Sequence, residues 1–392
     1  MKLFKKNKFW FNLHLILTLI FLIPLMIIAL SGAIISYHDE IIDAINGDIT
    51  HISKINRDAK RIETDKILSK ISQDLPNFKL ASYQISSDEN KAFMVAGAVQ
   101  DDGKMQMKSF FINPYTGEII GENRANGFIS IVLNLHSNLG FAFFGKNGAF
   151  IGKQIVAFST VALILLLISG VVLYYPKIKR RFFSSLKINF KKHGYAFLYS
   201  LHSVVGMWAF LFLFIISSTG LYFSYDFIMS GVNKAFGEKE IFRKNLFDVR
   251  PILLNEQNIA KLSSAVEIFR KDRNHNYEFG AFTPTTKGFV VFYIDKNSDE
   301  TKANLMTIDV ENKEITANIR AENGVFANFK TKNKVNDKEQ SYAFLITGFM
   351  LNLHSGYIFG EIGKFLFFIS SLSVLLFTIT GLMMSIKRVF RK

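Results

Sequence analysis

Four long apolar stretches interrupt an otherwise mixed sequence. They cover about residues 13–36, 154–175, 201–225 and 363–386, and none has an acidic residue in its apolar body. A helix needs about 20 mainly apolar residues to cross the hydrocarbon core of a bilayer. The pattern therefore predicts an integral membrane protein with four membrane-spanning α-helices.

The first apolar stretch follows several lysines, as the core of a cleaved secretory signal also does. The apolar core of such a signal is about 7–15 residues long and ends at a small-residue cleavage site. Here the run is much longer, and a related run appears later in the chain. We therefore expect a retained membrane helix.

The two long segments between apolar stretches have the periodicity of small α+β domains. Residues 63–75 have a helical repeat of apolar positions, and strand-like runs follow at about 78–86, 92–99 and 105–112. A turn at 113–117 leads into a further short run. The second segment repeats this order, with a helix near 256–270, strands near 276–283, 288–295 and 303–310, and a turn at 311–313.

Basic residues cluster in three segments that lack Asp and Glu, namely 1–12, 176–197 and 387–392. Their 15 basic residues match the formal net charge of +15, so the remaining sequence is neutral. By the positive-inside rule, both termini and the central loop are cytoplasmic, and the two α+β domains lie on the outer face. Nucleic-acid binding would instead require basic residues clustered on a folded domain.

These patterns predict one order of segments along the chain. It is a cytoplasmic N-terminus (1–12), a first membrane helix (13–37), an outer domain (38–130), an interfacial segment with a histidine (131–153), a second helix (154–175), a basic cytoplasmic loop (176–197), a third helix (198–225), a second outer domain (226–345), a second interfacial segment (346–362), a fourth helix (363–386) and a cytoplasmic C-terminus (387–392).

An internal repeat relates the two halves of the chain. The pentapeptide Leu-Asn-Leu-His-Ser occurs at 133–137 and again at 351–355. His14 and His202 each precede a glycine by 18 residues and a tyrosine by 23. We interpret the chain as an internal duplication in which each copy crosses the membrane twice. Such copies are related by an axis along the membrane normal.

Four of the eight histidines recur at equivalent positions of the repeat: His14 with His202, and His136 with His354. Because 23 helical residues rise about 35 Å, His14 and His202 are predicted near the cytoplasmic edge. His136 and His354 precede the second and fourth helices, near the outer edge. The four therefore predict two facing pairs, one in each leaflet.

Two opposed imidazoles can bind haem iron, which needs only two axial ligands. A zinc site normally has further His, Cys or carboxylate ligands, and the chain has no Cys. We expect two haem groups per chain, with all four histidines as axial ligands. His38 could replace a ligand or contact a substrate. His193 lies in the basic cytoplasmic loop, where it could contact lipid head groups, and His51 and His275 are predicted at the surface.

A Ser or Thr followed by Gly occurs once in each predicted membrane helix, at 31–32, 169–170, 219–220 and 380–381. Glycine would let a flat ligand approach closely, but small residues are equally typical of helix packing in membranes. Both interpretations remain open from the sequence. Trp208 and Tyr222 could pack against a porphyrin, but we expect them to pack inside the helix bundle.

The chain resembles the PepSY-associated transmembrane proteins, often called iron-regulated membrane proteins. The resemblance rests on the paired histidines and on Phe-Ile-Asn-Pro-Tyr-Thr-Gly-Glu at 111–118, which looks like the end of a PepSY domain. It implies two periplasmic PepSY-like domains on four membrane helices in a bacterial inner membrane. It also implies b-type haem and reduction of ferric chelates, as in ferrisiderophore reductases.

The chain has no Gly-rich dinucleotide fingerprint between a strand and a helix, so the electron donor would be a separate quinol, reduced flavin or reductase. Two other functions are considered. PepSY domains are also associated with protease inhibition, and a membrane-anchored regulator would bind no haem. A metal transporter would be expected to have acidic residues within its membrane helices, which this sequence lacks.

Overall fold

The computed structural model describes residues 2–52, 59–101, 104–236, 250–286, 288–296, 304–319 and 343–389. The chain divides into two compact units. One comprises Met1–His38, Ile129–Val232 and Phe349–Lys392, and the other comprises Asp39–Phe128 and Asn233–Gly348. The basic residues Arg391 and Lys392 of the predicted cytoplasmic C-terminus lie outside the described residues.

The described elements follow one another in this order. The helices are α1 (Lys2–Ile35), α2 (His38–Thr50), α3 (Thr64–Asp74), α4 (Asn126–Asn138), α5 (Gly145–Arg180), α6 (Phe182–Ser185), α7 (Gly194–Ser224), α8 (Asp226–Ala235), α9 (Glu256–Arg273), α10 (Ala343–Ser355) and α11 (Gly360–Val389). The strands are β1 (Lys79–Ser86), β2 (Phe93–Asp101), β3 (Lys104–Ile112), β4 (Ile119–Glu122), β5 (Ile252–Leu253), β6 (Phe279–Thr285), β7 (Gly288–Ile294), β8 (Asn304–Asp309) and β9 (Glu314–Ile319).

Four helices of the first unit are long and apolar enough to cross a membrane. Within the described residues, the candidate spans are Lys8–Ile35, Phe141–Arg180, Gly194–Ser224 and Tyr357–Lys387. The prediction of four apolar helices is confirmed. Pro24 lies inside α1 without ending that helix.

The four long helices pack as a closed ring. Helix α1 packs against α5 and α11, and α7 packs against the same two helices. Leu25, Ala209, Leu213 and Val374 form a buried apolar cluster between them. The interior of the ring is therefore filled by side chains from helices of both halves.

The two aromatic residues expected inside this bundle behave differently. Tyr222 is buried as expected. Trp208 is 63% exposed, and its indole N–H donates to the carbonyl oxygen of Leu186 at 3.2 Å. The expectation that Trp208 packs inside is wrong. Exposing an apolar ring to lipid, unlike exposing it to water, has no hydrophobic free-energy cost.

The second unit contains one antiparallel sheet made by both halves of the chain. Its strand order is β4-β3-β2-β1-β6-β7-β8-β9, and β5 pairs with β1. The strands predicted in each segment are confirmed. The sequence predicts two separate small domains, whereas β1 and β6 pair with each other, Tyr83 opposite Phe282 and Gln84 opposite Ala281. This pairing gives hydrogen-bond partners to backbone groups of β1 and β6 that would otherwise lie at an open sheet edge.

A single hydrophobic core lies under this joint sheet. Helices α3 and α9 pack against each other. Leu68 of α3 and Phe269 of α9 belong to one buried cluster with Tyr83 and Phe282 of the central strands. The second unit is therefore one folding unit with two similar halves.

The pairing of β1 with β6 can be tested by a disulfide, because the natural chain has no cysteine. Gln84→Cys with Ala281→Cys places two thiols directly opposite each other, where Cβ atoms lie about 5 Å apart. We expect this pair to crosslink under mild oxidation, detected by a mobility shift that a reductant reverses.

Gln84→Cys with Thr307→Cys is the control, because β6 and β7 lie between those strands. It should remain uncrosslinked, because three inter-strand spacings alone separate the two positions by at least about 14 Å. Equal crosslinking of both pairs, or of neither, would contradict the joint sheet.

Candidate functional site

The structure brings the four predicted histidines together as two pairs within the helical unit. The ring centroids of His14 and His202 lie 6.4 Å apart, with the ring planes at 74°. Those of His136 and His354 lie 6.2 Å apart, with the planes at 62°. Two imidazole nitrogens that each lie about 2 Å from one metal ion put their ring centroids about 6 Å apart. Both separations fit a metal ion between the rings.

The inner pair is held by hydroxyl groups of neighbouring helices. The Nδ1 atom of His14 lies 2.9 Å from the Oγ of Ser169, and that hydroxyl donates to the carbonyl of Leu166 at 3.0 Å. Because the hydroxyl proton of Ser169 is donated to Leu166, the Oγ atom accepts a hydrogen bond from the Nδ1–H of His14. Helix α1 is thereby joined to α5 through its histidine.

His202 repeats this arrangement between α7 and α11. Its Nδ1 atom lies 2.8 Å from the Oγ1 of Thr380, whose hydroxyl donates to the carbonyl of Leu376 at 2.7 Å. The threonine oxygen therefore accepts from the Nδ1–H of His202. The same chemistry holds both members of the inner pair.

The outer pair is anchored mainly on backbone carbonyls. The Nδ1 atom of His136 on α4 lies 2.9 Å from the carbonyl oxygen of Ile28 on α1. That of His354 on α10 lies 3.0 Å from the carbonyl oxygen of Ile216 and 3.0 Å from the Oγ1 of Thr219, both on α7. A carbonyl oxygen can only accept, so Nδ1 carries the proton in both histidines.

These bonds assign one tautomer to all four imidazoles. A neutral imidazole with its proton on Nδ1 has a free electron pair on Nε2, which is the form that binds metals. Metal-ligating histidines usually donate the other ring N–H to a carbonyl, carboxylate or water, which fixes the ring and raises its basicity. The four histidines therefore have the supporting contacts typical of metal ligands.

The charge state of the outer pair agrees with this role. Burial lowers the pKa of His136. Burial, together with the neighbouring His136, lowers the pKa of His354 to about 4. Both outer histidines are therefore neutral at pH 7 and able to bind a metal ion.

The Ser/Thr-Gly pairs lie against these imidazoles. A Cβ atom added to Gly32 would lie 2.8 Å from Cε1 of His136, and one added to Gly220 would lie 3.4 Å from Cε1 of His354. At Gly170 and Gly381 the distances to the Cε1 atoms of His14 and His202 are 3.7 Å and 3.8 Å. Each glycine thus packs against a histidine ring, a role that the sequence pattern does not reveal.

The two pairs lie toward opposite ends of the long helices. Helix α1 has His14 near one end and Gly32, which contacts His136, near the other. Their 18-residue spacing corresponds to a rise of about 27 Å. Within the described residues, neither pair belongs to a group of three or more His, Cys, Asp or Glu side chains. Each pair therefore offers two ligands.

The other four histidines lie elsewhere in the fold. His38 is the first residue of α2. His51 is exposed and lies beside the hydroxyl of Thr50 at 3.1 Å. His193 is exposed just before α7, and His275 is exposed in a loop with a φ of 59°. The surface positions predicted for His51 and His275 are confirmed.

The tight contact at Gly32 gives a test of this packing. Gly32→Ala pushes a methyl group onto the ring of His136, and overpacking of this kind costs about 1–3 kcal/mol. Gly170→Ala is the matched control, since its methyl group would be at ordinary contact distance from His14. We expect Gly32→Ala to lower the thermal unfolding temperature in detergent clearly more than Gly170→Ala. Equal temperatures for the two variants would contradict the described contact.

Comparison with known proteins agrees with the resemblance seen in the sequence. The family described as "PepSY-associated TM region" matches residues 11–388, which is nearly the whole chain and includes both histidine pairs. No curated protein matches the chain. With four candidate membrane spans and this match, the chain is a multi-pass membrane protein. The chain belongs to the PepSY-associated TM region family.

Proposed function

We propose that this protein is a haem-containing transmembrane electron-transfer protein that reduces ferric chelates, of the ferric siderophore type, for iron acquisition. The observation that carries the proposal is the geometry of the two histidine pairs. Each pair has ring centroids 6.2–6.4 Å apart, and every Nδ1 atom is engaged by an oxygen of a neighbouring helix.

The residues around the pairs fit haem b. Two axial imidazoles complete the coordination of haem iron, and the macrocycle requires apolar walls. Phe377 lies 5.2 Å from the ring of His202, and Phe223 lies 5.9 Å from the ring of His354, measured between centroids. His14 and His202 would hold an inner haem, and His136 and His354 an outer one. Bound haem b would supply one-electron transfer.

The chain itself would contribute fixed ligands and a dry interior. The hydrogen bonds at Nδ1 hold each imidazole in place, so the rings would keep their positions whether a haem held between them was oxidised or reduced. The apolar cluster around Leu25 and Leu213 keeps water out of the space between the two pairs. Reduction would favour release of the metal, since Fe(II) binds hard oxygen ligands less strongly than Fe(III) does.

The proposed direction rests on the charge pattern. The basic segments 1–12, 176–197 and 387–392 favour a cytoplasmic location for both termini and for the loop between α5 and α7. The sheet unit would then lie on the periplasmic side of a bacterial inner membrane. A separate cytoplasmic reductant or a quinol would serve the inner pair.

We also infer an internal duplication. The repeated pentapeptide and the repeated contacts support it, since His14 bonds Ser169 as His202 bonds Thr380. A regulator or protease inhibitor without redox activity would not require four imidazoles held in one tautomer, so the geometry favours electron transfer.

The visible absorption spectrum of the purified protein, oxidised and then reduced, tests the cofactor. We expect low-spin b-type bands and about two haems per chain. Because each haem requires both of its ligands, His14→Ala and His354→Ala should each remove one haem, and His193→Ala, at an exposed loop histidine, should retain both. A colourless protein from haem-replete cells would contradict the proposal.

The same preparations test the reaction. Protein reduced with dithionite and freed of excess reductant should reoxidise rapidly when a ferric siderophore is added, with Fe(II) trapped by a chromogenic chelator. His193→Ala should react as the wild type does, whereas His354→Ala should lose most of the rate. Haem bands that remain reduced in the presence of ferric chelates would exclude them as acceptors.

A further inference from the structure

Two Gly-Lys pairs recur in the repeat, Gly152-Lys153 in α5 and Gly363-Lys364 in α11. Each glycine packs against the chain just beyond an outer histidine. A Cβ atom at Gly152 would collide with the carbonyl oxygen of Asn138, and one at Gly363 with that of Gly356. Asn138 and Gly356 each lie two residues after a histidine of the outer pair. The glycine before Lys364 therefore packs against the segment that follows His354.

Lys364 is buried although it carries a charge. It is 1% exposed, and its Nζ atom lies 4.7 Å from the ring centroid of Tyr37 and 4.8 Å from that of Tyr357. Tyr357 lies three residues after His354, and Tyr37 lies five residues after Gly32, which contacts His136. The cage around this ammonium group is therefore built from the segments that also hold the outer pair.

Burying the charged side chain of Lys364 has a desolvation cost. Its ion pair with Glu361 is long, at 3.9 Å, and the glutamate side chain is 75% exposed, so solvent weakens the attraction. Two tyrosine rings attract a cation, but a methionine of similar length would fill the same space without the cost of burying a charge. Ionisable groups buried in membrane proteins usually serve a function.

Building on the proposed function, we propose that Lys364 binds a propionate carboxylate of the haem held by His136 and His354. Haem b has two such carboxylates, and they must be paired with a cation or reach water when the macrocycle enters an apolar site. A buried ammonium group held by two aromatic rings, one of them three residues after His354, meets that requirement. Lys364 would thus select and orient the macrocycle without touching the iron.

The test compares haem b with haem dimethyl ester, which has the same ring and iron but no carboxylate charge. The full-length chain with His14→Ala, produced without haem, is titrated with each compound. Only binding at the outer site is then measured. With Lys364 present, haem b should bind at least about tenfold more tightly than the ester, as expected for a charge-assisted hydrogen bond. With Lys364→Met, the two compounds should bind equally.

Lys364→Arg should restore the preference for haem b, because it retains the cation. Lys146→Met makes the same change at an exposed lysine of α5 and should behave as the parent does. If Lys364→Met proves unstable, Lys364→Gln replaces it. An unchanged preference in the folded Met or Gln variant, or no preference in the parent, would overturn the inference while the haem content of the wild type still supports the proposed function. A wild type without haem would contradict the function itself.

Discussion

The Nδ1–H of each paired histidine donates to an oxygen on a neighbouring helix, and the chemistry of both sites depends on this hydrogen bond. It decides the tautomer, because the accepting oxygen is a carbonyl or a hydroxyl whose own proton is already used, as in Ser169 and Thr380. It also fixes each ring relative to its partner. Without it, the two imidazoles of a pair could rotate, and their Nε2 atoms would no longer point in fixed directions.

The close approach of each histidine ring to the neighbouring helix also decides which residues line the helix contacts. A ring can approach the neighbouring helix closely only where that helix has a small residue, so a glycine lies beside each histidine. The Ser or Thr before the glycine keeps its proton on a carbonyl of the preceding turn, which leaves its oxygen as an acceptor toward His14, His202 and His354. At Ser31 the arrangement differs, since His136 bonds the carbonyl of Ile28 directly. Two chemical solutions thus produce the same tautomer.

Much of this structure could be predicted from the sequence, because local patterns decide it. Apolar length predicts the four membrane helices, and alternation predicts strands such as β1 and β7. The repeat also singles out the four histidines. The pairing of β1 with β6 could not be predicted, because it depends on contacts between residues about 200 positions apart. The partners of each Nδ1 atom and the exposed position of Trp208 depend likewise on how the helices pack.

The most direct measurement is an anomalous difference map of the purified wild-type protein, recorded at the iron absorption edge. We expect two iron peaks, one between His14 and His202 and one between His136 and His354, each about 2 Å from both Nε2 atoms of its pair. Iron bound at other residues, or iron bound through Nδ1, would contradict it.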